Sequence, residues 1–110
     1  MTKNQRAFLD MLAHSEIGAS LLKITDNGYN VLVGATPSNP LTFDDYSGHP
    51  NIYNKKMNST AAGRYQFLSR DWAHYRSQLG LQNFGPECQD KWALQLIRER
   101  KALPDIEAGN

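Results

Sequence analysis

The first part of the chain has apolar residues at helical spacing. Between residues 4 and 15, apolar side chains recur every three or four positions and form one stripe: Phe8, Leu9, Met11, Leu12 and Ala13. Thr2 or Asn4 is a suitable N-cap for such a helix. Glu16 follows directly at the carboxyl end. The pattern therefore predicts a first helix over residues 4–15 that carries a glutamate at its end.

The pattern changes in residues 26–50. Residues 26–28 (Asp-Asn-Gly) are a turn sequence, and residues 29–33 (Tyr-Asn-Val-Leu-Val) have the composition of a strand. Residues 41–43 (Leu-Thr-Phe) form a second short candidate strand, and prolines and glycines interrupt the polar residues around it. This part of the chain is expected to form a small β-hairpin or ribbon, followed by a loop that runs to residue 58.

Two further helices are predicted in the second half of the chain. Ser69 is a suitable N-cap for a helix that ends at Gly80 and carries an apolar stripe of Trp72, Tyr75 and Leu79. Pro86 favours the first position of another helix, which ends at Pro104 and whose shared face consists of Trp92, Ala93, Leu96, Ile97 and Arg100. The order of elements indicates an α+β fold in which ribbon and helices enclose a cleft, with Glu16 at their junction.

Length and composition indicate one folded domain over residues 1–110. Of the 110 residues, 40% are hydrophobic and 21% are charged, and the net charge of +1 does not indicate nucleic-acid binding. No segment approaches the roughly 20 apolar residues that span a membrane, and the N-terminus lacks the apolar core of a signal peptide. Cys88 is the only cysteine and the three histidines are scattered, so we expect no disulfide, metal site or cofactor.

Residues 58–70 combine residue types that suit a sugar chain. Small residues and Gly63 allow close backbone approach, while the next three positions supply a cation, a ring face and an amide: Arg64, Tyr65 and Gln66. Residues 55–86 hold five basic residues against one acid, and such a local positive field favours an anionic polymer. Glu16 adds a carboxylic acid that can protonate a glycosidic oxygen. These features together suggest a glycan-cleaving site.

Seven segments of the chain carry a family resemblance. They are residues 4–16, 28–34, 45–50, 59–70 (Ser-Thr-Ala-Ala-Gly-Arg-Tyr-Gln-Phe-Leu-Ser-Arg), 78–81, 89–90 and 97–104. In composition and order they resemble the lambda-type phage endolysins, which are lysozyme-like lytic transglycosylases that cut peptidoglycan. The resemblance implies a lysozyme-like fold in which Glu16 is the catalytic acid and base. It also implies peptidoglycan glycan strands as the partner, no membrane insertion, and a host-cytoplasmic protein that acts in the periplasm after holin-dependent release.

The resemblance and the residue types together predict five substrate contacts. Three lie in the Gly-rich segment and two on one lip of the cleft: Arg64, Tyr65, Gln66, Tyr46 and His49. For the first three, an internal ion pair, core packing and local capping are alternatives of similar weight. The five residues are therefore predicted as cleft residues, while the atoms they contact stay open.

Two alternatives to the transglycosylase remain. A hydrolytic muramidase would pair Glu16 with a second carboxylate, for which Asp26 and Asp44 are the candidates. Members of the family that the chain resembles continue past the segment matching residues 105–110 into further helices, so the chain is expected to lack them. Such a chain would expose apolar surface and tend to associate with itself, and it would fit a catalytically silent glycan-binding or assembly protein.

Overall fold

The computed structural model describes residues 1–100, which contain four α-helices. They are α1 (Lys3–Glu16), α2 (Ala19–Ile24), α3 (Trp72–Leu79) and α4 (Pro86–Glu99), with a 3₁₀ turn at Ser69–Asp71 before α3. None of the helices in this range is both long and apolar enough to cross a membrane. The prediction that the last helix ends at Pro104 lies outside the described residues.

Helix α1 is capped by Thr2, one of the two predicted candidates. The Thr2 side chain accepts a hydrogen bond from the Gln5 backbone N–H at 3.1 Å, and the Gln5 side chain accepts one from the Thr2 N–H at 3.0 Å. This reciprocal capping box satisfies two backbone donors that a helix start leaves without partners. Leu9 and Ala13 are fully buried, which confirms these two positions of the predicted apolar stripe, whereas Met11, predicted in the same stripe, is 56% exposed. The helix includes Glu16.

Helix α2 has no counterpart among the predicted elements. It contains six residues and follows Gly18, whose φ of +90° redirects the chain after α1. Leu21 and Leu22 are its buried residues. A helix of this length spans fewer than two turns, so a 3.6-residue period cannot be recognised in it.

The predicted ribbon is less regular than expected, because residues 1–100 contain isolated β-bridges and no strand. Residues 30–32 do pair with residues 41–43 in the antiparallel sense, through backbone hydrogen bonds from Leu32 to Leu41 and from Phe43 to Asn30. Residues 61–63 pair with the opposite side of residues 31–33, through backbone hydrogen bonds from Val33 to Ala61 and from Gly63 to Val31. Pairing ends after residue 33 because Gly34, with a φ of +87°, turns the chain.

The start of α3 also differs from the prediction. Ser69 is not its N-cap, because Ser69–Asp71 forms a 3₁₀ turn and Asp71 occupies the cap position without a side-chain hydrogen bond. The Ser69 hydroxyl instead lies 2.9 Å from the hydroxyl of Thr60. The predicted end is confirmed, since Gly80 adopts a left-handed conformation with a φ of +64°.

The core lies between the paired segments and α4, and it is rich in aromatic rings. Phe67 and Trp92 stack with their centroids 4.0 Å apart, and Phe84 packs edge-on against Phe67. Trp92 is 1% exposed, which confirms it as a core residue, whereas Arg100, predicted on the same face, is exposed. Helices α1 and α3 both pack against α4, and α1 also packs against α2.

Candidate active site

Glu16 lies where α1 meets the first turn of the ribbon. The next residue, Ile17, packs beside Gly28, since a Cβ atom at Gly28 would lie 3.5 Å from Ile17 Cγ1. The Glu16 side chain is exposed and forms no hydrogen bond or ion pair with residues 1–100. A carboxylate in this position is free to interact with a ligand.

Residues 63–66 form a tight turn that constrains its own side chains. The turn lies between Ala62 and Phe67, which form a β-bridge, and it begins at Gly63 with a φ of +89°. A Cβ atom at Gly63 would lie 2.5 Å from the side-chain oxygen of Gln89, so only glycine fits. Gln66, with a φ of +57°, donates from its amide to the Gly63 carbonyl at 2.9 Å and thereby closes the turn.

Gln89 of α4 holds this turn against the ribbon. Its side chain is completely buried, and its amide donates to the carbonyls of Tyr29 and Phe84 at 2.9 and 2.8 Å. Its oxygen accepts a hydrogen bond from the Arg64 backbone N–H at 2.9 Å. All the polar groups of this amide therefore have partners, as burial requires.

Arg64 extends inward from the turn and is 3% exposed. Its guanidinium donates to Asp10 at 2.9 Å, to the Tyr65 hydroxyl at 3.0 Å and to the Asn27 carbonyl at 3.0 Å. The same group lies over the Tyr29 ring, 5.3 Å from its centroid. Arg64 thus adopts the internal ion pair that its sequence context left open, and a direct contact with a glycan stays a prediction.

Asp90 of α4 accepts hydrogen bonds from three side chains. The hydroxyls of Tyr65 and Tyr29 donate to it at 2.5 and 2.9 Å, and Arg6 donates at 2.8 Å. Burial, together with these bonds to Asp90, raises the pKa of both tyrosines above the usual value. We call the connected set the Asp90 network; its members are Arg6, Asp10, Tyr29, Arg64, Tyr65 and Asp90.

The two predicted lip residues also have internal partners. The Tyr46 hydroxyl donates to Asp26 at 2.5 Å. His49 Nε2 lies 2.7 Å from the Phe67 carbonyl, and His49 Nδ1 accepts from the Asn51 backbone N–H, which assigns the proton to Nε2. Burial lowers the pKa of His49, although the hydrogen bond to Phe67 opposes this effect.

The structure distributes the five predicted contact residues over different surfaces. Tyr46 and His49 line two open grooves of about 580 and 480 Å³ that share Ser47. Arg64 instead lines a groove of about 390 Å³ together with Asp10. Tyr65 and Gln66 are partly buried and hydrogen-bonded within the protein. A glycan contact therefore stays a prediction for each of the five.

Sequence reasoning missed most of the Asp90 network and the role of Gln89. Arg6 and Asp10 have the i, i+4 spacing of a helical ion pair, which was the only local signal. Asp90 lies 84 residues from Arg6 along the chain and 25 residues from Tyr65. No periodicity or motif spacing indicates partners at such separations.

Comparisons with known proteins agree on one family. A family model described as Endolysin matches residues 6–110. The endolysin of Escherichia phage lambda is 52% identical over 112 residues, which cover 97% of this chain and 68% of the relative. The endolysin of Escherichia phage P2 is 48% identical over 115 residues, covering 97% and 70%. The structure of bacteriophage lambda lysozyme complexed with a chitohexasaccharide matches with a TM-score of 0.81 and 50% identity, over 97% of this chain and 70% of that one.

Proposed function

The chain belongs to the phage endolysin family and has a lysozyme-like fold, and we propose that it cleaves bacterial peptidoglycan by lytic transglycosylation. The bond is the β-1,4 linkage between N-acetylmuramic acid and N-acetylglucosamine. The product carries a 1,6-anhydromuramic end, and the biological setting is host cell lysis. The protein would be made in the host cytoplasm and reach the periplasm after holin-dependent release.

The observation that carries the proposal is the position of Glu16. Its carboxylate is exposed at the end of α1 and has no partner within residues 1–100. By contrast, Asp10, Asp26 and Asp90 each accept hydrogen bonds from protein side chains. Among these acids, Glu16 is the one that can meet a substrate oxygen without first breaking an internal contact.

One carboxyl group is sufficient for this reaction. Protonated Glu16 donates its proton to the glycosidic oxygen, and the C1–O bond of the muramic acid breaks. The resulting carboxylate then removes the proton from the C6 hydroxyl of the same sugar, and O6 bonds to C1. The glutamic acid is regenerated and no water is consumed.

A hydrolytic muramidase would need a second carboxylate to activate water. Asp26 already accepts a 2.5 Å hydrogen bond from the Tyr46 hydroxyl, and this bond would compete with a water molecule that Asp26 had to activate. Asp44 lies in the wall of the groove that His49 lines. Because Glu16 has no internal partner within residues 1–100 and Asp26 has one, the single-carboxylate mechanism is favoured over one that uses Asp26.

Mass spectrometry of the muropeptides released from purified peptidoglycan tests the proposal. We expect products with 1,6-anhydro ends, one water lighter than hydrolysed ends, and none from Glu16→Gln. Glu99→Gln is the control, because Glu99 is likewise the exposed last residue of a helix, α4, although it accepts hydrogen bonds from Tyr75 and Gln95. Its substitution should leave the products unchanged.

Two outcomes would contradict the proposal. Reducing ends would identify a hydrolase and direct attention to Asp26→Asn and Asp44→Asn. No product from the folded wild-type protein, verified by circular dichroism, would favour a catalytically silent glycan-binding or assembly protein.

A further inference from the structure

Residues 51–58 form a largely exposed loop that is held by hydrogen bonds, and we call it the 51–58 loop. Paired backbone hydrogen bonds between Asn54 and Ser59, of 2.8 and 3.3 Å, close its second half into a turn. The Asn54 side chain donates to the Val33 carbonyl at 3.0 Å and accepts from the Met57 N–H at 3.0 Å. One side chain thus fixes the loop both to the ribbon and to itself.

The loop exposes apolar and cationic groups together. Ile52, Tyr53 and Met57 are 48%, 57% and 50% exposed, although large apolar side chains are usually buried. The Tyr53 hydroxyl donates to a side chain of the same loop, which holds its ring in place. Lys55 and Lys56 are also exposed, and their ammonium groups form no ion pair or hydrogen bond with residues 1–100. Three exposed large apolar side chains within six residues are available to contact a ligand.

The charge of the loop indicates the kind of partner. Lys55 and Lys56 are the only charged residues between positions 46 and 63, so no acid in this stretch neutralises them. Two adjacent ammonium groups repel each other in the free protein and gain from a partner that brings carboxylates. Peptidoglycan offers such a partner, since its glycan strands carry short peptide stems with free carboxylates and alkyl side chains.

We propose that the 51–58 loop binds the peptide stems of peptidoglycan, with Lys55 and Lys56 paired to stem carboxylates and the exposed apolar side chains against stem alkyl groups. This inference rests on the proposed substrate class. It makes the loop a specificity element that separates peptidoglycan from a neutral glycan such as chitohexasaccharide. An anionic membrane fits less well, because polybasic membrane-binding segments carry about four to eight cations.

The test measures binding in the Glu16→Gln background, so that strands are not cut during the experiment. The variant Lys55→Gln/Lys56→Gln is compared on three ligands: stem-bearing glycan strands, strands stripped of stems by an amidase, and chitohexasaccharide. We expect about fivefold weaker binding to stem-bearing strands, as for two exposed ion pairs, and no change on the other ligands. The difference should shrink at high salt, where exposed pairs are screened.

Lys3→Gln/Arg98→Gln removes the same charge from two other exposed positions, outside the grooves described above, and should change none of these affinities. Equal losses on stripped strands would overturn the proposal, because the lysines would then recognise the glycan itself. So would unchanged binding to all three ligands; a loss seen only on a fourth ligand, phosphatidylglycerol vesicles, would also overturn it and identify a membrane-binding site instead. Each result is independent of whether the wild-type protein forms anhydro ends, so the two proposals can fail separately.

Discussion

Replacing Asp90 with alanine should destabilise the protein severely, because three donors lose one acceptor. The Tyr29 hydroxyl is buried, and a buried donor without a partner costs about 1–3 kcal/mol. Tyr65 loses a 2.5 Å charge-assisted bond, for which a similar cost applies. The Arg6 side chain is 39% exposed and can rehydrate, so its lost ion pair counts for about 1 kcal/mol at most.

The expected total for Asp90→Ala is about 3–5 kcal/mol, from the two tyrosine hydroxyls and the partly exposed ion pair together. That is a large fraction of the stability of an ordinary domain and corresponds to a fall in melting temperature of about 12–20 °C. Urea unfolding followed by tryptophan fluorescence measures the free energy of unfolding, and thermal melts by circular dichroism check it.

A double-mutant cycle tests the reason for this loss. In a Tyr29→Phe background the orphaned hydroxyl is absent, so Asp90→Ala should cost about 1 kcal/mol less than in the wild type. Asp44→Ala, at an exposed acid with no hydrogen bond to residues 1–100, should change stability by less than about 0.5 kcal/mol. A cost for Asp90→Ala near that of Asp44→Ala, or the same cost in both backgrounds, would refute the reasoning.

Two further predictions concern the turn and the lip. Gly63→Ala should lower the free energy of unfolding, measured in urea, by about 2–4 kcal/mol, because it adds a 2.5 Å clash with Gln89 to the strain of a positive φ. Gly80→Ala places its methyl group in open space and should show only the strain, about 1 kcal/mol. Equal costs for the two variants would contradict the steric explanation. The lowered pKa of His49 means that its contribution to stability is complete above the unfolded pKa of about 6.5 and is lost as the pH falls through the lower folded value. The melting temperature should therefore fall less between pH 7.5 and pH 5 in His49→Gln than in the wild type, and identical pH dependence would show that His49 is not responsible.

The Asp90 network also explains how α1 keeps its position beside the ribbon. Arg6 and Asp10 belong to α1, and their partners belong to α4 and to the turn at residues 63–66. Three separate parts of the chain are therefore linked through one set of charges. Glu16 lies further along the same helix, so its position depends on these links.

The sequence alone determined the features whose causes are local. These features include the buried positions Leu9 and Ala13 of α1, the end of α3 at Gly80 and the start of α4 at Pro86. Each depends on residues within about four positions of each other, whereas the sequence alone leaves open the choice of Thr2 over Asn4 as the cap of α1. The ordered motifs likewise sufficed to identify the endolysin family, which the comparisons confirm. Interactions between residues a few positions apart, and segments typical of a family, can be identified from the sequence alone.

Only the tertiary structure decided what the polar residues of the predicted cleft contact. Arg64 had two interpretations in the sequence, and its ion pair with Asp10 joins positions 54 residues apart. Gln89 and Asp90 belong to a segment that carries the family resemblance, but nothing in the sequence indicates their partners on the ribbon and on α1. Hydrogen bonds and ion pairs act over about 3 Å in space, whatever the separation along the chain, so folding alone selects which donors and acceptors meet.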